Sequence, residues 1–204
     1  LHFFEEAMHI NGEQGDSEVR VLILNKLGRV SALVSKTEEA FQYYEQVLSY
    51  KDDVGAEVEA EALFNMARLY TIQEKYNEAL DHHKQALAIR RSIKDKKNEA
   101  VSLNDIGELY RLMKNIDKAL ANHVVALEIR LAIVDKAGMA ESYNNVGALY
   151  YQQKNIERAA ANLTLALQAG QESQAQEQIA RSYDYLHQCY KAVGDYKKAL
   201  EYKE

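Results

Sequence analysis

The sequence predicts an all-α chain, a solenoid of antiparallel helix pairs. Three observations carry this reading. First, the chain writes nearly the same stretch several times. LFNMARLYTIQEKYNEAL (63–80), LNDIGELYRLMKNIDKAL (103–120), YNNVGALYYQQKNIERAA (143–160) and YDYLHQCYKAVGDYKKAL (183–200) align at a spacing of 40, and LNKLGRVSALVSKTEEAF (24–41) joins them at 39. A fixed period of this size marks a repeat architecture. Second, the 204 residues contain no proline and nine glycines, too few turn-formers for sheets and long loops. Third, apolar residues within each copy recur at helical spacing.

The elements follow in chain order. Leu1–Ile10 aligns with a second helix, since EAMHI (6–10) matches QALAI (85–89) and VALEI (125–129). It is read as a partial unit over 1–23. Units follow at 24–62, 63–102, 103–142 and 143–182, with a partial one at 183–204. In the 103–142 unit, Leu103, Ile106, Gly107 and Tyr110 share one helix face. Lys114-Asn115 breaks that helix, and in the last copy Gly194-Asp195 does the same; such residues tolerate the left-handed turn between antiparallel helices. A second helix is expected from about Asp117 to Ile133, with Ala119, Leu120, Leu127 and Ile129 inward. Lys136-Ala137-Gly138 is read as its end, glycine being suited to stop a helix. Helices of roughly 14 and 17 residues result, ordinary lengths. Both ends of the chain fall inside a repeat, so a longer parent protein or disordered flanks are expected.

These residues resemble the tetratricopeptide repeat, whose pattern is W-x2-L-G-x2-Y, then A-x3-F, then P. The first large slot holds Leu24, Leu63, Leu103, Tyr143 and Tyr183; the glycine slot holds Gly28, Ala67, Gly107, Gly147 and His187. The tyrosine slot holds Ser31, Tyr70, Tyr110, Tyr150 and Tyr190, and the alanine slot Ala40, Ala79, Ala119, Ala159 and Ala199. The closing proline is absent throughout and the period is 40 rather than 34, which resembles the long-repeat branch used in bacterial signalling proteins and animal polarity scaffolds. The resemblance implies a right-handed superhelix, because one helix pair cannot bury its apolar face alone and must stack.

Composition bounds the chemistry. Net charge is −6 with no long basic run, which argues against a nucleic-acid or anionic-membrane partner. No apolar stretch approaches the roughly 20 residues of a membrane span. The single Cys189 excludes an internal disulfide framework. It takes the place of Leu69, Leu109 and Leu149, and so reads as a packed thiol rather than a nucleophile. His83 and His123 fill a slot occupied elsewhere by Tyr44 and Leu163; packing is expected there rather than zinc, which needs three or four converging ligands. His82, like them, lies on a second helix, while His2 and His9 lie near the chain start. GEQGDS (12–17) fits no nucleotide fingerprint and reads as a turn. Lys51, Arg90 and Arg130 recur near the ends of second helices, where cations suit the helix dipole; they read as solvated or paired with Asp95 and Asp135. No cofactor, metal or catalytic constellation is expected.

The resemblance implies that first helices line a ligand groove. Residues expected there are Asn25, Arg29, Asn65, Arg68, Asn104, Asp105, Glu108, Arg111, Asn144, Asn145, Tyr151 and Gln188. An asparagine amide both donates and accepts, so it suits an extended peptide backbone. Alanine at Asn104 and Asn144 is accordingly expected to weaken a partner without lowering stability. The carboxylate clamp of chaperone-binding relatives is matched only by Asn65, with Asn25, Arg29, Val101 and Asp105 elsewhere in the set, so a C-terminal chaperone tail is not expected. His187 stands where other copies place Gly or Ala, so a loosened joint, or a ring turned towards the groove, is expected. The functional expectation is a protein- or peptide-binding module, the sensing or scaffolding region of a larger signalling protein. Rival readings are a homo-oligomerisation module for attached output domains and a peptide-pheromone receptor. The cytoplasm is the expected compartment, or the periplasm should the parent carry a signal peptide.

Overall fold

The computed structural model describes residues 17–50 and 55–203, and among these residues every regular element is a helix. In order they are α1 (Ser17–Leu33), α2 (Thr37–Ser49), α3 (Ala56–Ile72), α4 (Tyr76–Ser92), α5 (Lys96–Leu112), α6 (Ile116–Ala132), α7 (Lys136–Gln152), α8 (Ile156–Ser173), α9 (Gln176–Ala192) and α10 (Tyr196–Glu201). The expected partial helix over Leu1–Ile10, the turn read in GEQGDS, His2, His9 and Lys51 all fall wholly or mainly outside the described residues.

The helices meet through one recurrent turn. Ser35, Glu74, Lys94, Lys114, Val134, Lys154, Gln174 and Gly194 each adopt positive φ, between 57° and 77°. The next residue is the N-cap, and the helix starts one residue after it. Asn115, Asp135, Asn155 and Asp195 each accept a hydrogen bond from the backbone N–H three residues on, which satisfies one of the orphan donors of a helix start. This confirms the breaks at Lys114-Asn115 and Gly194-Asp195. It corrects the break at Lys136-Ala137-Gly138: α6 stops at Ala132, the turn is at Val134, and Lys136 already opens α7. Gly138 is buried inside α7, where a Cβ would lie 2.7 Å from Arg130 Nε. Its small size makes room for an arginine rather than ending a helix. First helices are accordingly 17 residues long, not 14, because their opening turns are polar or small-residue stretches with weak apolar periodicity.

The chain falls into two compact units, one ending at Ser102 and one starting at Leu103. In the first, Val21, Leu24, Ala40, Tyr44, Val47, Ala62, Met66 and Leu69 form a core from α1, α2 and α3. In the second, Ala159, Leu163, Leu186 and Cys189 do so from α8 and α9. The alanine slot is buried in every pair: Ala40, Ala79, Ala119 and Ala159 are fully buried and Ala199 is 3% exposed. The glycine slot explains the residue opposite it. A Cβ on Gly28 would sit 2.6 Å from the Tyr44 ring, on Gly107 2.8 Å from His123, and on Gly147 2.7 Å from Leu163. Each glycine is thus the seat of a large side chain from the second helix. In the last pair the residue equivalent to Leu163 is Lys203, beyond the end of α10. His187 turns onto that short helix, its Nδ1–H donating to the Ala199 carbonyl at 2.8 Å.

Candidate functional site

Each unit carries a cleft on its first-helix side. The cleft of the second unit, about 420 Å³, is lined from α5 by Glu108 and Arg111, from α7 by Asn145, Tyr151 and Gln152, and from α9 by Arg181, Tyr185 and Gln188. His123 of α6 also lines it. Arg111 is paired to Glu108 by two hydrogen bonds. The Tyr151 and Tyr185 rings meet edge to face at 6.3 Å. The cleft of the first unit, about 440 Å³, is lined by Arg29, Glu61, Phe64, Asn65, Arg68 and Arg90, among others. Arg90 lies 4.3 Å over the Phe64 ring and Arg68 5.8 Å from it, a favourable geometry for cations on an aromatic face.

Five of the expected groove residues therefore converge in the second-unit cleft: Glu108, Arg111, Asn145, Tyr151 and Gln188. Arg29, Asn65 and Arg68 line the first. Asp105 is half-buried on α5 and lines neither. Asn25, Asn104, Asn144 and Asn145 are buried, and for Asn104 and Asn144, which line neither cleft, this overturns the expectation of a ligand-facing amide. Asn144 is fully buried and donates to the Gln178 carbonyl at 2.9 Å, while Ser182 Oγ lies 2.8 Å from its Oδ1. Asn104 Oδ1 accepts from Asn145 Nδ2 at 2.7 Å and faces His123 Nδ1 at 3.0 Å. Its Nδ2 donates to Glu141. Both amides have protein partners, so replacing either with alanine lowers stability. A helix position three or four residues from a groove residue need not face the groove. Periodicity alone does not separate the edge of the buried stripe from the groove wall.

The histidines pack, as their slot suggested. Since Asn104 Oδ1 can only accept, His123 must donate from Nδ1, which assigns its tautomer. Burial pushes its pKa down to about 4, with Glu108 pulling the other way and Arg130 adding to the fall. His83 stands edge-on to Phe64 at 5.0 Å, and burial followed by Arg90 lowers it to about 3. Cys189 is buried and its thiol is pushed up to about 11, so it is not a poised nucleophile. Among the described residues no group of three His, Cys, Asp or Glu side chains could hold a metal ion, and no helix is long and apolar enough to cross a membrane.

The reading of Arg90 and Arg130 as surface cations is also corrected. Both are buried, at 5% and 3% exposure. Arg90 donates to the Asn98 carbonyl and Ser102 Oγ, and Arg130 to the Gly138 carbonyl and Ser142 Oγ. Arg130 also pairs with Glu141 at 2.7 Å. The guanidinium reaches forward into the next helix instead of out to water. The residues missed by sequence reasoning are Phe64, Arg90, Gln152, Arg181 and Tyr185. The signal was available for Arg181, which stands where earlier copies have Glu61, Val101 and Glu141.

Comparison with known proteins agrees with this geometry. Two stretches, 58–132 and 139–172, match family models described as Tetratricopeptide repeat. No curated protein matches the sequence significantly. Among solved structures, BtubC from P. vanneervenii is 21% identical with a TM-score of 0.82, covering 98% of this chain and 83% of its own. The apo form of RapI is 19% identical with a TM-score of 0.84, over 98% of this chain and 56% of its own. A signal transduction ATPase of the STAND type with a tetratricopeptide repeat sensor, from Pyrococcus horikoshii, is 20% identical with a TM-score of 0.84, over 97% of this chain and 32% of its own. The chain thus spans about half of RapI and a third of the ATPase. At these identities the likeness is one of fold, and it extends over nearly all of this chain. With recurring helix pairs, an alanine slot buried in every copy, and two family models falling on those pairs, the chain belongs to the tetratricopeptide repeat family.

Proposed function

We propose that this chain is a peptide-binding module serving as the sensing or scaffolding region of a larger signalling protein. The observation that carries the reading is the second-unit cleft, where three successive first helices turn amide, guanidinium and phenol groups towards one space. Gln152 is exposed and Gln188 half-exposed there. Such groups can pair with a peptide main chain in either direction. The likeness to RapI and to a STAND-type repeat sensor supports a regulatory setting. So does the fold shared with a Rap protein solved in complex with Competence and Sporulation Factor, 20% identical with a TM-score of 0.75. That complex favours the second reading, a receptor for a free signalling peptide, which would use the same cleft.

The test is capture of peptides from a random array of amidated peptides by the intact chain. Bound peptides should be lost in the double variant Gln152→Ala, Gln188→Ala while its melting temperature stays unchanged. An array that retains nothing overturns the reading. A concentration-dependent dimer in sedimentation, with no peptide bound, would put homo-oligomerisation in its place.

A further inference from the structure

Resting on the peptide-binding reading, we infer that Arg181 is the specificity residue of the second-unit cleft and takes an aspartate or glutamate side chain of the bound peptide. The repeat itself sets up the argument. One repeat earlier, Glu141 stands at this position and pairs with Arg130 at 2.7 Å. Forty residues after Arg130 the chain has Gly170, and forty after Glu141 it has Arg181. Both halves of that ion pair have been exchanged, and the charge at the cleft position has changed sign. Arg181 therefore has no part in joining α8 to α9, where Gly170 packs against Ile179 instead.

What remains is a half-buried guanidinium lying 6.0 Å from the Tyr185 ring centroid, with no carboxylate among the described residues at ion-pair distance. The other cation of the cleft, Arg111, is already neutralised by Glu108. Glu108 is the sole acid among the lining residues, so the cleft carries one net positive charge (Arg111 and Arg181 against Glu108) within a chain of net charge −6. The first-unit cleft differs: Arg29, Arg68 and Arg90 face Glu57, Glu61 and Asp95 there, and the charges balance. A planar guanidinium held on an aromatic face offers two parallel N–H donors, the geometry a carboxylate accepts. Gln152 and Gln188 line the same space and suit a main chain continuing past the anchor. That favours a side-chain carboxylate over a terminal one.

The experiment uses the same random array, synthesised in amidated and free-acid forms. Amidated peptides bound by the intact chain should be enriched in Asp or Glu, and changing that residue to Asn or Gln should weaken binding about tenfold. Arg181→Gln should abolish the enrichment and the discrimination, with retained capture of neutral peptides and an unchanged melting temperature. Arg181→Lys should restore part of the preference. Binders with no acidic enrichment, or an enrichment that survives Arg181→Gln, overturn the inference and leave the peptide-binding reading intact. Selection of free-acid peptides alone would assign Arg181 to a chain terminus and also overturn it. Capture of nothing overturns both.

Discussion

Two joints in the second unit solve one packing problem with different chemistry. Between α6 and α7, the end of one pair is tied to the start of the next by a buried arginine, with Gly138 cleared to admit it and Glu141 to balance it. Between α8 and α9, Gly170 replaces the arginine, α8 runs to Ser173, and Ala175 opens the next helix without a side-chain cap. There a neutral network takes over, in which Asn144 of α7 reaches Gln178 and Ser182 of α9. A buried charge costs desolvation that only good geometry repays, whereas a neutral amide costs less and yields less. The α6–α7 joint is therefore specified by a few polar atoms that must all be present. The α8–α9 joint rests more on small-residue packing, which leaves its cleft-facing position open for another use.

Breaking the first joint should have the largest effect. Arg130→Met leaves Ser142 and the Gly138 carbonyl without this donor and Glu141 without its ion pair, and should cost about 3 kcal/mol in urea unfolding; a loss under about 1 kcal/mol would show that the guanidinium contributes little net. Converting the second joint towards the first should come next. Gly170→Arg alone forces a long side chain against Ile179, and should cost about 2 kcal/mol through overpacking. Adding Gln178→Gly and Arg181→Glu supplies the cleared space and the balancing acid, and should recover most of that loss. If the triple variant is no better than the single one, the two joints are not interchangeable designs.

The smallest effect depends on pH. The α6–α7 network reaches His123 through Glu141 and Asn104, whereas the equivalent residue facing α7 is Leu163. His123 is held neutral, with its folded pKa near 4 against 6.5 unfolded. The unfolded chain binds the proton first, so stability is full above about pH 6.5 and falls as pH drops towards 4. One unit below 6.5 the loss is about 1.4 kcal/mol for this one residue. His123→Leu should remove that share of the pH dependence between 6.5 and 5.5, read from urea midpoints, while the share due to His83 persists. An unchanged slope would mean that His123 is protonated in the fold.

The period, the helix pairs and the alanine slot were legible because they depend on small residues at contacts that tolerate nothing else. Ala119 is fully buried for the reason its position in the pattern suggests. The polar residues were less legible. Asn104 and Asn145 are neighbours in space, yet only Asn145 lines the cleft. Spacing places both near the groove, but the choice between wall and floor depends on which partner lies behind each amide. Arg130 misled for a related reason. A cation near a helix end usually meets water, and only the missing side chain of Gly138, eight residues later, shows where this one goes.

The seating of Tyr44, His123 and Leu163 on Gly28, Gly107 and Gly147 bears on how such a chain can be remade. The two partners of each seat lie 16 residues apart and belong to the same pair. A crossover that cut between them would marry a bulky side chain to a space shaped for another, or leave a hollow where a larger one had been. Cuts placed between pairs carry each matched couple across whole, but at α6–α7 they sever Arg130 from Gly138. Gene shuffling and design by duplication thus meet two breakpoint rules in this molecule. One is set by bulk and forbids the middle of a pair. The other is set by charge and forbids its end wherever the arginine is present. The α8–α9 boundary, lacking the arginine, is where a foreign pair could be spliced in with least repair.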